Sequence, residues 1–369
     1  MRKLLRRLLY KPVIRLTNKF ASKPEKPKIE AALSELLNEL RQGNTKKGPV
    51  LEIQDQSIII FSDHHKGAKN GSDDFMLAEK NYLAALQYYD QKNYTLVCLG
   101  DTEELWENLW LSIKKHNKAS IEAEKKFVKR NAFIKVFGNH DLFWKNDPLA
   151  GFHLRSIYDS DVQTHEAVLL KSKKHNLDIF LTHGHQGDSK SDSNPFSAWF
   201  VANIWAPLQS YLLINFNTPA YDAARKTLHN QMMYEWSAAQ SSLLLVTGHT
   251  HQPVFESLTY VERLYRRLEI AKHSNDSGKL LETQALLKKA WGKEPPQSIT
   301  NLDMQPSYFN TGCCCYSDGE ITGIEISADE ICLVKWSDVK NISPQRVVLE
   351  TSSLADIAKR VRVPLFSAH

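Results

Sequence analysis

Apolar positions along the chain fall into short runs that end abruptly in polar residues. Residues 57–61, 94–99 and 133–137 are rich in β-branched and aromatic side chains and too short for ordinary helices, so they predict buried strands. Each runs straight into a polar block: Ser62-Asp63-His64-His65, then Gly100-Asp101, then Gly138-Asn139-His140-Asp141. Between them, residues 29–41, 75–91 and 102–130 repeat apolar positions at helical spacing, the last interrupted near Trp110. Shorter strands are expected at 167–170 and at 178–181, which leads to Thr182 and His183, and again at 243–246 before Gly248-His249-Thr250-His251. Strand, polar block, helix, strand is the order of α/β folds, whose active groups collect beyond the carboxyl ends of strands.

Several stretches break this rhythm. Residues 188–240 hold Trp199, Trp205 and Trp236 in helix-compatible sequence and read as an inserted helical cap. Residues 258–297 are charged, helical in pattern and end at Pro295 and Pro296, which predicts a second helical insertion. Residues 308–336 alternate in strand fashion, with a turn at Asp318-Gly319. At the other end, Leu4, Leu5, Leu8, Leu9, Val13 and Ile14 stand near helical spacing among basic residues. That pattern suits either a helix lying on an anionic membrane surface or one packed on the body of the protein. Pro24 and Pro27 among lysines mark a linker, so the expected division is an arm and linker over 1–28, a core domain over 29–340 and a tail over 341–369.

Composition alters this picture little. At 369 residues the chain exceeds the ~250 to 300 at which one core usually stops growing, which fits a single core with appendages. Hydrophobic residues at 42% and charged residues at 24% are those of a globular protein. No apolar run approaches the ~18 residues of a membrane span, and basic residues interrupt every run in the first 20, so the chain reads as cytoplasmic. The net charge of +5 includes +7 from those first 20 residues, leaving about −2 elsewhere, and no cluster of basic and aromatic residues points to nucleic acid. Five cysteines, three of them consecutive at Cys313 to Cys315, lack disulfide or C-x-x-C spacing and are expected to be buried, reduced thiols on a strand.

Asp63 and His65 stand two apart at a strand end, where extended backbone would put both on one face and His64 on the other. Asp101 can bridge two cations through its two oxygens, Asn139 offers an amide oxygen, and His183, His249 and His251 add imidazoles. Such mixed nitrogen and oxygen donors fit a pair of divalent transition ions, manganese, iron or zinc, better than magnesium or calcium. Three neighbours carry two readings each. His64 either faces a substrate or is structural, Lys66 either contacts a phosphate or is merely solvated, and His185 competes with His183 as a ligand.

In order, Asp63-x-His65, Gly100-Asp101, Gly138-Asn139-His140-Asp141, His183 and Gly248-His249-Thr250-His251 resemble the signature of the calcineurin-like metallophosphoesterases, over residues 57 to about 336. The resemblance implies an α/β fold in four layers, an α-β-β-α sandwich of two packed mixed sheets with helical insertions. It implies a hydrolase of phosphate esters or phosphoanhydrides with one ion on Asp63, His65, Asp101 and His251 and the other on Asp101, Asn139, His183 and His249. A water activated between ions ~3.5 to 4 Å apart would attack phosphorus. His140 would protonate the leaving oxygen, with Asp141 fixing its orientation.

The block Gly100-Asp101-Thr102-Glu103-Glu104-Leu105-Trp106 lacks the Asp-Arg-Gly continuation of the Ser/Thr protein phosphatases. It is similar to the Gly-Asp-x-x-Glu-x-Trp of the UDP-diacylglucosamine pyrophosphohydrolases, as is the block from Gly248 to Pro253, whereas His140 stands where that group commonly has Arg. A phosphorylated small molecule or a lipid-linked substrate is implied. Residues 1–20 on the inner face of a membrane would suit the second. The competing reading is a catalytically silent scaffold on the same fold, marked by lost ligands, and all the ligands are present.

Overall fold

The computed structural model describes residues 25–53, 56–70, 73–187, 219–291, 303–338 and 343–365. The chain runs through α1 (Lys26–Arg41) and β1 (Val50–Glu52) into a first sheet. That stretch comprises β2 (Ile58–Phe61), α2 (Glu79–Gln91), β3 (Thr95–Leu99), α3 (Trp110–His116), α4 (Lys118–Lys129), β4 (Phe133–Val136), α5 (Phe143–Asn146), α6 (Ala150–Tyr158) and β5 (Thr164–His165). A second sheet follows through β6 (Ala167–Ser172), β7 (Leu177–Thr182), α7 (Pro219–Ala238), β8 (Leu243–Thr247), β9 (Val254–Phe255) and β10 (Leu258–Thr259). After the helices α8 (Tyr260–His273) and α9 (Ser277–Trp291), β11 (Tyr308–Asn310) rejoins that sheet. Then β12 (Ile321–Ile326), β13 (Glu330–Ser337) and β14 (Gln345–Ser353) return to the first, followed by α10 (Leu354–Arg360).

Both sheets have seven strands, ordered β14-β13-β12-β2-β3-β4-β5 and β1-β6-β7-β8-β11-β9-β10. Both are mixed: β2, β3, β4 and β5 pair in parallel and β12 to β14 antiparallel, while β7, β8 and β11 are parallel beside an antiparallel β6.

Continuous apolar strands follow from burial on both faces. In β2, Ile58 and Ile60 point inward with Val97 and Leu99 of β3, against Val168, Leu170, Ile179, Leu181 and Val246 of the second sheet. Its alternate residues Ile59 and Phe61 face outward onto Tyr82, Leu86 and Tyr89 of α2 and Phe127 of α4. On the far side, Ile29, Leu33, Leu36, Leu37 and Leu40 of α1 cover Leu169, Phe180, Leu243 and Leu245. Each of these buried aliphatic side chains contributes on the order of 2 kcal/mol. Helix, sheet, sheet, helix is the four-layer α-β-β-α sandwich that the motif resemblance implied.

Some boundaries differ from the sequence reading. Of the expected tail over 341–369, the described residues 343–365 are part of the fold: β14 extends the first sheet along β13, and Leu354, Ile357 and Ala358 of α10 enter the core between the sheets. The linker ends earlier than expected because α1 starts at Lys26, with Pro27 in its first turn, where its missing N–H costs nothing. Of the expected cap, 188–218 lie outside the described residues. Met232, Met233, Tyr234, Trp236 and Ala238 of α7 join α1 over the second sheet, so that part is a layer of the sandwich. Within the span expected as a second insertion, α8 packs Leu264, Tyr265 and Leu268 against Leu287 of α9, and Arg263 and Arg267 both bind Glu350 of β14 at 3.0 and 2.6 Å, while 292–297 lie outside the described residues. Cys313 to Cys315 are free thiols in the loop after β11, not on a strand. The arm over 1–20 lies outside the described residues, among which no helix is long and apolar enough to cross a membrane.

Candidate metal centre

The carboxyl ends of β2, β3 and β4 in one sheet and of β7 and β8 in the other converge, each carrying a block of candidate donors. The strands stop short of these donors, and the backbone turns into the left-handed region: φ is +51° at Asp63, +50° at His65, +49° at Asp101, +67° at His249 and +56° at His251. Asp63 and His65 therefore share one side through tight turns and not through extended backbone. Such conformations cost energy in non-glycine residues and persist where the surroundings enforce them. Here Asp63 N donates to Gly100 O at 3.1 Å and His65 N to Asp101 O at 2.9 Å.

Glycine precedes the donors because there is no room for a side chain. A Cβ on Gly138 would lie 2.2 Å from Asp101 Oδ1, and one on Gly248 would lie 2.4 Å from Asp63 Oδ2.

Asp63, His65 and Asp101 each place a ligand atom within 4.8 Å of the others, and so do Asp101, His183 and His249. Asp101 belongs to both sets. Its Oδ2 is 3.1 Å from His183 Nε2 and 3.9 Å from His65 Nε2, while Asp63 Oδ1 is 3.2 Å from His251 Nε2. Donors about 2 Å from a shared cation stand roughly 3 to 4 Å from one another, so the spacing fits. The buried Asn139 Oδ1 has no hydrogen-bond partner, and neither does His183 Nε2, which touches Asp101 without hydrogen-bond geometry. Orphaned buried atoms are costly, and a cation is the partner that satisfies both. The outer nitrogens are already engaged: His183 Nδ1 donates to Leu99 O at 2.9 Å and His65 Nδ1 to Glu104 at 2.8 Å, leaving each Nε2 facing inward.

The carboxylates hold charge on the neighbouring rings, protons that a bound cation would displace. Burial alone would favour protonated Asp63, but the His251 and His183 rings lower it to about 2. Burial disfavours charge on His65 too, yet the Glu104 hydrogen bond and the nearby Asp101 raise it to about 9. His183 reaches about 9 against the same burial through Asp101 and Asp63. Ionised carboxylates in a closed space draw cations.

His140 stands at the edge of the cluster with its side chain 26% exposed, its ring centroid 4.7 Å from that of His65. Asp141 does not orient it. The Asp141 carboxylate instead accepts from Gly138 N at 2.6 Å and Thr102 N at 2.8 Å, stitching two of the loops together, because adjacent side chains leave the backbone in different directions. Glu104 orients both rings, accepting from His140 Nδ1 at 2.9 Å as well as from His65, and Trp106 stacks on His140 at 4.1 Å. Glu104 and Trp106 were visible as fixed positions of the Gly-Asp-x-x-Glu-x-Trp block, but nothing in the sequence said what they hold.

Two other expectations meet burial. His64 is fully enclosed, its ring 4.8 Å from Tyr82 and 6.1 Å from Phe75. Lys66 is 1% exposed and pairs with Glu124, which also accepts from Tyr82 OH at 2.8 Å and Tyr158 OH at 3.1 Å. Neither can reach a substrate. A second buried pair, Lys135 with Glu103 at 2.7 Å, lies beside it under the site. His185 is also buried, in neither donor set, and burial with the adjacent His183 pushes it down to about 3. His229 of α7, which the sequence did not single out, stands 5.2 Å from the ring of His249.

Comparison with solved structures finds Vacuolar Protein Sorting 29 from Cryptosporidium parvum, at 11% identity over 81% of this chain and 98% of that one, with a TM-score of 0.31. It also finds a dimetal phosphatase from Danio rerio, at 8% identity over 80% and 99% with a TM-score of 0.34. Both likenesses are distant. Comparison with curated protein sequences finds no match. Residues 57–253, more than half of the chain and the span holding every donor above, match the calcineurin-like phosphoesterases. The chain belongs to the calcineurin-like phosphoesterase family, and is a metal-dependent phosphoester hydrolase.

Proposed function

We propose that the cluster holds two divalent cations and that a phosphate ester or phosphoanhydride is hydrolysed beside them. One position would take Asp63, His65, Asp101 and His251, the other Asp101, Asn139, His183 and His249. The observation that carries this reading is that two donor sets share Asp101. When bound, such a pair lowers the pKa of a water and neutralises phosphoryl oxygens. The residues around them do the rest. Glu104 engages His140 Nδ1, so Nε2 is the nitrogen left to deliver a proton to the leaving oxygen, and Trp106 fixes the ring plane. Manganese, iron and zinc all suit this donor set.

Within this chemistry, a lipid-linked nucleoside diphosphate is the substrate class we favour. That choice rests on the Gly-Asp-x-x-Glu-x-Trp block, two of whose side chains meet on His140. The test strips the protein of metal, adds back Mn²⁺, Fe²⁺ or Zn²⁺, and assays bis-p-nitrophenyl phosphate, p-nitrophenyl phosphate and UDP-diacylglucosamine while counting bound ions. Two ions per chain with release of UMP is the expected result. Cleavage of the nitrophenyl esters alone would remove the lipid substrate and keep the hydrolase. Two bound ions with no turnover would leave a silent scaffold, and no bound ion would sink the metal centre itself.

A further inference from the structure

A histidine that binds a metal through one ring nitrogen is aimed by whatever its other nitrogen bonds to. His65 bonds to a carboxylate and His183 to a backbone carbonyl, both ordinary choices. His251 is different: its ring meets sulfur, with Nδ1 3.6 Å from Cys315 and the buried Cys313 thiol also within hydrogen-bonding reach of the ring and of Cys315.

We propose that Cys315 is a positioning residue, whose sulfur accepts the Nδ1–H of His251 and so turns Nε2 toward Asp63 and the first metal position. The inference rests on the metal-centre reading above. Tautomer follows from geometry, since an Nε2 that is to offer a lone pair to a cation leaves the ring proton on Nδ1. His251 Nε2 is 3.2 Å from Asp63 Oδ1 and 3.2 Å from His65 Nε2, so the inward nitrogen stands among the donors while the outer one meets sulfur. Ligand atoms of His65, His251 and Cys315 lie within 4.8 Å of one another.

The sulfur is held in place from two sides. Cys314 N donates to the carbonyls of Ser62 and Asp63, both at 3.2 Å, which ties the loop to the turn carrying one ligand. Tyr316 OH donates to the carbonyl of His251 at 3.2 Å, which ties it to the other. Sulfur is a weak acceptor, so His251 is held more softly than His65 is by Glu104. The half-buried thiol also makes this one metal position dependent on a reduced cysteine.

The experiment measures both metal affinities by competition with a chelator, using Zn²⁺ as the probe, in the whole chain and in Cys315→Ala, Cys315→Ser and Cys314→Ala. Cys314 is buried in the same loop with its side chain in the cluster of Phe61, Phe75 and Tyr82, so Cys314→Ala reports loosening of the loop. Outer partners of ligand histidines typically contribute 10- to 100-fold in affinity, so Cys315→Ala should weaken one of two ions by roughly 10-fold or more and spare the other. Cys315→Ser, whose hydroxyl can accept the same N–H, should recover most of that loss. Unchanged affinities in Cys315→Ala, or an equal loss in Cys314→Ala, would overturn the proposal while leaving the metal centre standing. A wild-type chain that binds no ion would take down both.

Discussion

At the scale of single residues, two imidazoles share one carboxylate. Glu104 engages the outer nitrogens of His65 and His140 together, and its own group is held down to about 2, against burial, by those two rings. An amide at that position keeps the shape and loses the charge. Glu104→Gln should therefore lower kcat by about 10²-fold or more, the usual worth of a placed proton donor, with a smaller change in KM. Steady-state kinetics on a nitrophenyl ester check this, and a kcat within twofold of wild type would remove Glu104 from the mechanism. Asp141→Asn should act through the fold of the loops, since its oxygens meet only backbone N–H groups. The sequence exposed the donors because their residue types and order are distinctive. It hid the partners of His140 because a glutamate 36 residues earlier gives no sign of reaching the ring, while an aspartate next door looks better suited until the backbone is seen.

At the scale of elements, the strand ends are anchored from below by charge. Lys66 follows β2 and reaches Glu124 on α4, and Lys135 within β4 reaches Glu103 after β3, both pairs almost wholly enclosed. Removing one partner of such a pair strands the other. Lys66→Met should cost about 3 to 5 kcal/mol in urea unfolding because Glu124 would keep only its two tyrosine hydroxyls. Adding Glu124→Leu to that variant should recover much of the loss, and a single variant as stable as wild type would show the pair to be idle.

The same scale explains which elements could be read in advance. The strands β2, β3 and β8 are buried on both faces, and their unbroken apolar runs announce them. By contrast, β14 is an edge strand whose nine residues are all exposed or half-exposed, so its sequence carries no apolar alternation and reads as a tail. The left-handed turns were equally illegible, since Asp63, His65 and Asp101 are not residue types that demand them.

At the scale of the whole molecule, the site belongs to neither sheet. Asp63, His65, Asp101 and Asn139 follow strands of the first sheet, whereas His183, His249 and His251 follow strands of the second. Each proposed metal position takes donors from both, so an ion bound there ties the two halves of the sandwich together. Binding to the folded state alone adds about 2.7 kcal/mol per ion at a hundredfold excess over its Kd. Two ions would add about 5 kcal/mol, which for a chain of this size is a rise in Tm on the order of 5 to 10 °C. Differential scanning calorimetry of the metal-loaded protein, before and after chelation, should show that difference. Asp101→Ala, which removes the donor common to both sets, should abolish most of it without reproducing the fall in a metal-free comparison. If loaded and stripped proteins melt together, the donors converge without binding, and the two sheets are joined by their apolar interior alone.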